Sequence, residues 1–142
     1  MVNNMKQLSK TFILFIIGGI LYYLIEILWR GYSHLSMFIV GGICFILIGL
    51  INEHLEYKMS IFKQQFIAAI IVTIIELIAG IIINIILGLN VWDYSNLSFN
   101  LLGQISLKTS IGWFFIALPA IILDDWLRYW LFKEERPHYF LF

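Results

Sequence analysis

The sequence predicts an all-α polytopic membrane protein. Four transmembrane helices form two hairpins related as parallel repeats, with an interfacial helix at the C-terminal end. Three observations predict this. First, 61% of the 142 residues are hydrophobic, 17% are aromatic and only 13% are charged, against about 25% charged in a soluble domain. So little charge cannot cover a water-facing surface, which excludes a soluble globular domain, and so much hydrophobicity excludes disorder. Second, four segments are long and apolar enough to cross a bilayer, which takes about 20 residues at 1.5 Å rise each. Third, the two connections placed on the outer face resemble each other. Nine basic and nine acidic side chains balance, so there is no nucleic-acid footprint. One cysteine, Cys44, excludes a disulfide framework and a cysteine-rich metal site.

The first span is predicted over residues 12–29. Its apolar stretch is too long for a cleaved signal peptide and no small-residue cleavage site follows, so it reads as an uncleaved anchor. The second span covers 36–51 and the third 66–89. The fourth, 97–118, is the most polar, and Pro119 kinks or ends it. Residues 121–132 continue as a helix suited to the headgroup zone, where Asp124, Asp125 and Arg128 mix with Trp126, Tyr129 and Trp130. The chain 1–142 is one membrane domain: a first hairpin over 10–60, a second over 64–132 and a tail over 133–142. Cys44 reads as a small buried residue. Glu53, His54 and Glu56 read as a solvated cytoplasmic turn, and the tail from Tyr139 to Phe142 as lying on the membrane surface or on a partner.

Basic residues set the orientation. Lys6, Lys10, Lys58, Lys63, Arg128, Lys133 and Arg136 fall on one side, and Arg30 alone on the other. Lys108, inside the fourth segment, is left out of that comparison. The positive-inside bias places both termini in the cytoplasm.

The two outer connections match at an offset of 62 residues: Tyr32-Ser33-His34-Leu35-Ser36 against Tyr94-Ser95-Asn96-Leu97-Ser98. The same offset aligns Gly41 with Gly103, Ile43 with Ile105, and Gly18 with Gly80. Two spans per half leave both copies in one orientation, so an axis along the membrane normal relates them. Small residues such as Gly41, Gly42, Gly80 and Gly103 permit close helix contact.

Ionisable groups inside a bilayer call for a partner or a function. Glu76 and Lys108 are the deepest charges, on consecutive spans, and are expected to pair. Thr73, Glu76, Gly80, Asn84 and Gly88 share one face of the third span, which should look into the bundle. Gln104 joins Glu76, Asn84 and Lys108 as an intramembrane polar residue. Glu26, Arg30 and His34 are spaced by four, and Glu before Arg is the favourable order on a helix. Arg30 and Asp93 occupy the two outer connections, where a bridge between them would staple the halves. Alternatively Glu26, Arg30, His34, Asp93 and Asn100 line an outward pocket, with Arg30 recognising an anionic head group or carboxylate. His34 has the chemistry of a general base, Asp93 or Glu26 that of its orienting group, and Ser33, Ser36, Ser95 and Ser98 that of nucleophiles. No G-x-S-x-G elbow or H-E-x-x-H pair appears, however, so no catalytic residue is assigned. His54 and His138 fall on the opposite side from His34, so no metal site is assigned. No cofactor motif is present.

Arg30-Gly31-x-x-His34-x-Ser36-Met37 with Gly41-Gly42 resembles the first signature of the bacterial "putative ABC-transporter type IV" membrane proteins. Val91-Trp92-Asp93-Tyr94-Ser95, with Asn100 and Gly103-Gln104-Ile105, resembles the second, and Glu76, Gly80 and Asn84 are similar upstream. Leu35 stands where the family carries an aromatic residue, and Ser98 where it carries a proline. Both departures bear on loop rigidity rather than chemistry. The resemblance implies a permease-like component of a transport system in the bacterial cytoplasmic membrane. Membrane lipids surround such a chain, and because four spans are few, further copies of itself or a partner transport subunit are expected. The chain has no G-x-x-x-x-G-K-[ST] loop, so any ATP hydrolysis falls to a separate ATPase. Two other roles fit the same residues: a structural or regulatory membrane subunit, and a small membrane enzyme or lipid-handling protein using His34.

Overall fold

The computed structural model describes residues 2–54 and 59–139. The backbone forms helices α1 (Val2–Arg30), α2 (Leu35–His54), α3 (Ile61–Gly80) and α4 (Leu107–Phe132). A π-helical stretch, Ile81–Ile86, prolongs α3. Two short strands, β1 (Asn100–Leu101) and β2 (Ile105–Ser106), pair antiparallel, Asn100 opposite Ser106 and Leu101 opposite Ile105. Three helical stretches, Asn4–Arg30, Ile61–Ile86 and Leu107–Phe132, are long and apolar enough to cross a membrane; the apolar part of α2, Leu35–Ile51, is shorter.

Local chemistry sets the helix ends. Gly31, at φ 83°, closes α1, and its N–H donates to the Ile27 carbonyl at 2.8 Å. The Ser60 hydroxyl caps α3 by accepting from the Lys63 N–H at 3.3 Å. A reciprocal capping box of Ser106 and Thr109 starts α4. Lys133, in the left-handed region at φ 56°, ends it.

The helices pack in chain order, α1 on α2, α2 on α3 and α3 on α4, and α2 also reaches α4. No comparably extensive packing joins α1 to α4, so a seam runs between them. One core cluster groups Cys44, Ile48, Ile51, Ile61, Ala68, Val72, Ala117 and Ile121 toward the end that carries the termini. A second groups Met37, Ile83, Val91 and Trp92 beneath the two hairpin connections. At the terminal end Asp124, fully buried, holds Arg128 at 3.0 Å, and Lys10 reaches Glu134 at 3.2 Å.

Two expectations about the fourth span are corrected. It begins at Leu107, not near residue 97. Residues before it are claimed by turn chemistry instead: Asn100 donates to the Leu97 carbonyl at 2.8 Å and accepts from the Gly103 N–H at 3.0 Å, bonds that compete with helix formation. Nor does Pro119 break the helix, so no separate interfacial helix follows it: α4 is continuous through Phe132. Proline's fixed φ is compatible with the helix, and Ala117 and Ile121 are buried on either side of it.

The 62-residue repeat does not carry equal structure at every position. Gly41 lies inside α2, whereas Gly103 sits in a turn at φ 71°. Lys58, part of the orientation argument, lies outside the described residues, as do the side chains of Glu53, His54 and Glu56 and the tail residues Phe140, Leu141 and Phe142.

Candidate functional site

Glu76, one turn before the end of α3, is 5% exposed. Its Oε1 accepts from the Tyr94 hydroxyl at 2.9 Å, and its Oε2 accepts from the Trp113 Nε1–H at 2.9 Å. Tyr94 comes from the α3–α4 connection and Trp113 from the second turn of α4. Trp113 stacks on Tyr22 of α1, ring centroids 5.8 Å apart. Burial first, and then the charge of Glu76, push the Tyr94 hydroxyl well above the ordinary phenol range, so Tyr94 acts as a donor. Among the described residues no lysine or arginine pairs with Glu76.

Glu76 opens on a cavity of about 220 Å³. All four helices line it: Tyr22 and Gly18 from α1, Gly41 and Cys44 from α2, Glu76 and Val72 from α3, Trp113 and Pro119 from α4. Its wall is otherwise almost entirely apolar, and among the described residues Glu76 is its one carboxylate.

Nearer the hairpin end the polar groups interlock. The Asn84 amide donates to Gln104 Oε1 at 2.7 Å, and Asn84 Oδ1 accepts from the Val91 N–H at 2.7 Å. The Trp92 indole donates to the Gln104 carbonyl at 3.0 Å, and the Gln104 amide to the Leu102 carbonyl at 2.9 Å. The π-helical stretch places Asn84 here, and Gly80 leaves room for Gln104: a Cβ at Gly80 would lie 2.5 Å from Gln104 Oε1. Arg30 ties the first hairpin to this cluster by donating from Nη1 to the Val91 carbonyl at 2.9 Å. Its guanidinium also pairs with Glu26 and lies 4.6 Å from the Tyr32 ring centroid.

The expected residues divide accordingly. Glu26 and Arg30 meet as neighbours on α1. The Arg30–Asp93 bridge is absent; the Val91 carbonyl takes Asp93's place. Asp93 is exposed and accepts from the Ser95 N–H at 2.9 Å. That amide, and then the Ser95 side chain, hold its carboxyl below the usual range. Asn100 is exposed and bonds within its own loop. His34 is exposed and caps α2: its Nδ1 accepts from the Ser36 N–H at 3.1 Å and lies 2.7 Å from the Ser36 hydroxyl. None of Glu26, Arg30, His34, Asp93 and Asn100 lines the Glu76 cavity.

The expected Glu76–Lys108 pair does not form, because α4 starts at Leu107 and leaves Lys108 exposed in its first turn. Asn84 and Gln104 do meet. Trp113 escaped the reading of the sequence, although an indole within a span needs an acceptor for its N–H. Among the described residues no three His, Cys, Asp or Glu side chains group as metal ligands.

A family model described as "putative ABC-transporter type IV" matches residues 13–133, and the chain belongs to that family. No curated protein and no solved structure matches it.

Proposed function

We propose that this family member is a membrane-embedded, permease-like subunit of a transport system, built as four spans in two hairpins with both termini in the cytoplasm. One observation carries the reading. A buried carboxylate, Glu76, is held by two neutral donors and faces a cavity bounded by all four helices. A membrane protein that needed Glu76 for packing alone would be better served by an apolar side chain, since a central Asp costs about 2.5–3.5 kcal/mol to insert. Family membership supports transport. Energy would come from a separate ATP-hydrolysing subunit. With Lys108 at the start of α4, six basic residues among those described lie toward the terminal end against Arg30 and Lys108 at the hairpin end, which supports the positive-inside orientation.

Native mass spectrometry of the protein released gently from its host membrane tests this. An ATP-hydrolysing partner in the complex is the expected result. A particle holding nothing but this chain and lipid overturns it.

The Asn84–Gln104 cluster favours a second reading, a structural or regulatory subunit. Its polar groups are spent on one another, as assembly contacts would be. Under that reading Glu76→Gln lowers thermal stability and leaves uptake and export unchanged.

A further inference from the structure

From the seam between α1 and α4 we infer that the Glu76 cavity takes an amphipathic organic cation, an ammonium head on an apolar body, entering sideways from the lipid. This deepens the transport reading above by naming its substrate class, and it rests on that reading for its purpose.

The walls set the body of the ligand. Leu21, Ile25, Val40, Phe45, Ile116 and Leu123 among others give an apolar surface that would favour an apolar occupant by about 25 cal/mol per Å² removed from water. The volume, about 220 Å³, is many times the about 10–15 Å³ that one water needs.

The charge sets the head. Among the described residues Glu76 is the one carboxylate in the lining, and no cation pairs with it. Arg30 is already engaged by Glu26 and the Val91 carbonyl. An ammonium brought to Glu76 supplies the missing positive charge. Trp113 and Tyr22 line the same cavity, and aromatic rings attract cations by about 0.5–2 kcal/mol each. An anion would meet a carboxylate and no donor but those already engaged.

The seam sets the route. α1 and α4 lack the close packing found between successive helices. Between the Tyr22–Trp113 stack toward one end and Lys10 over the Phe132 ring at the other, 5.5 Å from its centroid, both helices contribute lining residues. A molecule dissolved in the bilayer therefore reaches Glu76 without crossing the interlocked cluster of Asn84 and Gln104.

The test uses the full chain in nanodiscs of neutral lipid, titrated with benzyltrimethylammonium, benzyl alcohol and benzoate and followed by calorimetry. Saturable binding of the cation is expected, with benzoate showing none. Glu76→Gln should weaken the cation by about tenfold or more, as loss of a buried counter-charge does, and leave benzyl alcohol unchanged. Ala120→Phe, which fills the cavity and keeps the carboxylate, should weaken cation and alcohol together. Cation binding that survives either substitution, or alcohol binding as tightly as the cation, overturns the inference. If Glu76→Gln does not fold, Ala120→Phe decides alone. Failure here with an ATP-hydrolysing partner still present refutes the substrate class. Cation binding with no such partner refutes the transport reading instead.

Discussion

The two hairpins hold together by different means. Between α1 and α2 the contact is dry, with glycines set against aromatic rings: Gly18 against Phe45, Gly19 against Phe38, Gly41 against Tyr22 and Gly42 against Phe15. Phe15 and Phe38 meet edge to face at 6.0 Å. No side-chain hydrogen bond crosses from α1 to α2 among the described residues. Between α3 and α4 the contact is laced with polar bonds. Gln65 donates to the Phe114 carbonyl at 3.1 Å, Thr73 to the Ser110 hydroxyl at 3.0 Å, and Trp113 to Glu76. Lipid tails are as apolar as leucine, so helices in a membrane associate by tight packing or by hydrogen bonds. This chain uses one means in each half. The hairpin held by packing can be rigid without chemistry, while the polar one places the buried carboxylate.

Substitutions that attack each kind of contact separately break or sharpen this comparison. The largest effect is expected at Gly42. A Cβ there would stand 2.7 Å from the Phe15 ring and 2.8 Å from its backbone carbonyl, which cannot step aside. Gly42→Leu should lower stability by about 3 kcal/mol or more, at the upper end of overpacking costs. Thermal unfolding in detergent would show it as lost folded protein, and a normal unfolding temperature would mean that the hairpin is not close-packed.

Next comes Asn84→Leu. It strips partners from Gln104 Oε1 and the Val91 N–H. A buried polar group left bare costs about 1–3 kcal/mol, and we expect about 2 kcal/mol in the same assay. Adding Gln104→Leu should recover part of the loss, because removing both partners is milder than removing one.

Thr73→Val removes one interhelical bond and should cost only about 0.6 kcal/mol, the average for such bonds in membranes. A much larger loss would place the second hairpin's stability in single bonds rather than in the network.

The smallest effect is local. Because the folded carboxyl of Asp93 titrates below its unfolded value, its contribution is present above the ordinary carboxylate range and is lost as pH falls through the folded value. The Ser95 amide resonance should shift with an acidic midpoint below that range, and Asp93→Asn should abolish the shift and lower the unfolding temperature only slightly.

What the sequence disclosed follows from the range of each interaction. Glu26 and Arg30 pair within one turn, so spacing alone finds them. The shared face of Glu76, Gly80 and Asn84 is likewise a property of one helix. The start of α4 was less legible. Leu97, Phe99, Leu101 and Leu102 are apolar enough to read as a span, yet Phe99 and Leu102 take positive φ values of 55° in a folded turn. A span start near residue 97 puts Lys108 in mid-membrane as a partner for Glu76, whereas the start at Leu107 leaves it in the first turn. The true partners, Tyr94 and Trp113, are 18 and 37 residues away, in a loop and another helix. No periodicity encodes a contact across that distance.

Four polar side chains of α3 and its π-helical extension have one thing in common: their partners come later in the chain. Gln65 waits for Phe114, Thr73 for Ser110, Glu76 for Tyr94 and Trp113, and Asn84 for Val91 and Gln104. During synthesis the glycine–aromatic contacts of the first hairpin can close once α2 has emerged, while Arg30 and Lys10 still await Val91 and Glu134. The third helix, with its extension, leaves the ribosome with four polar side chains whose partners in the fold are not yet made, and that set of bonds can close only when residue 114 has been added.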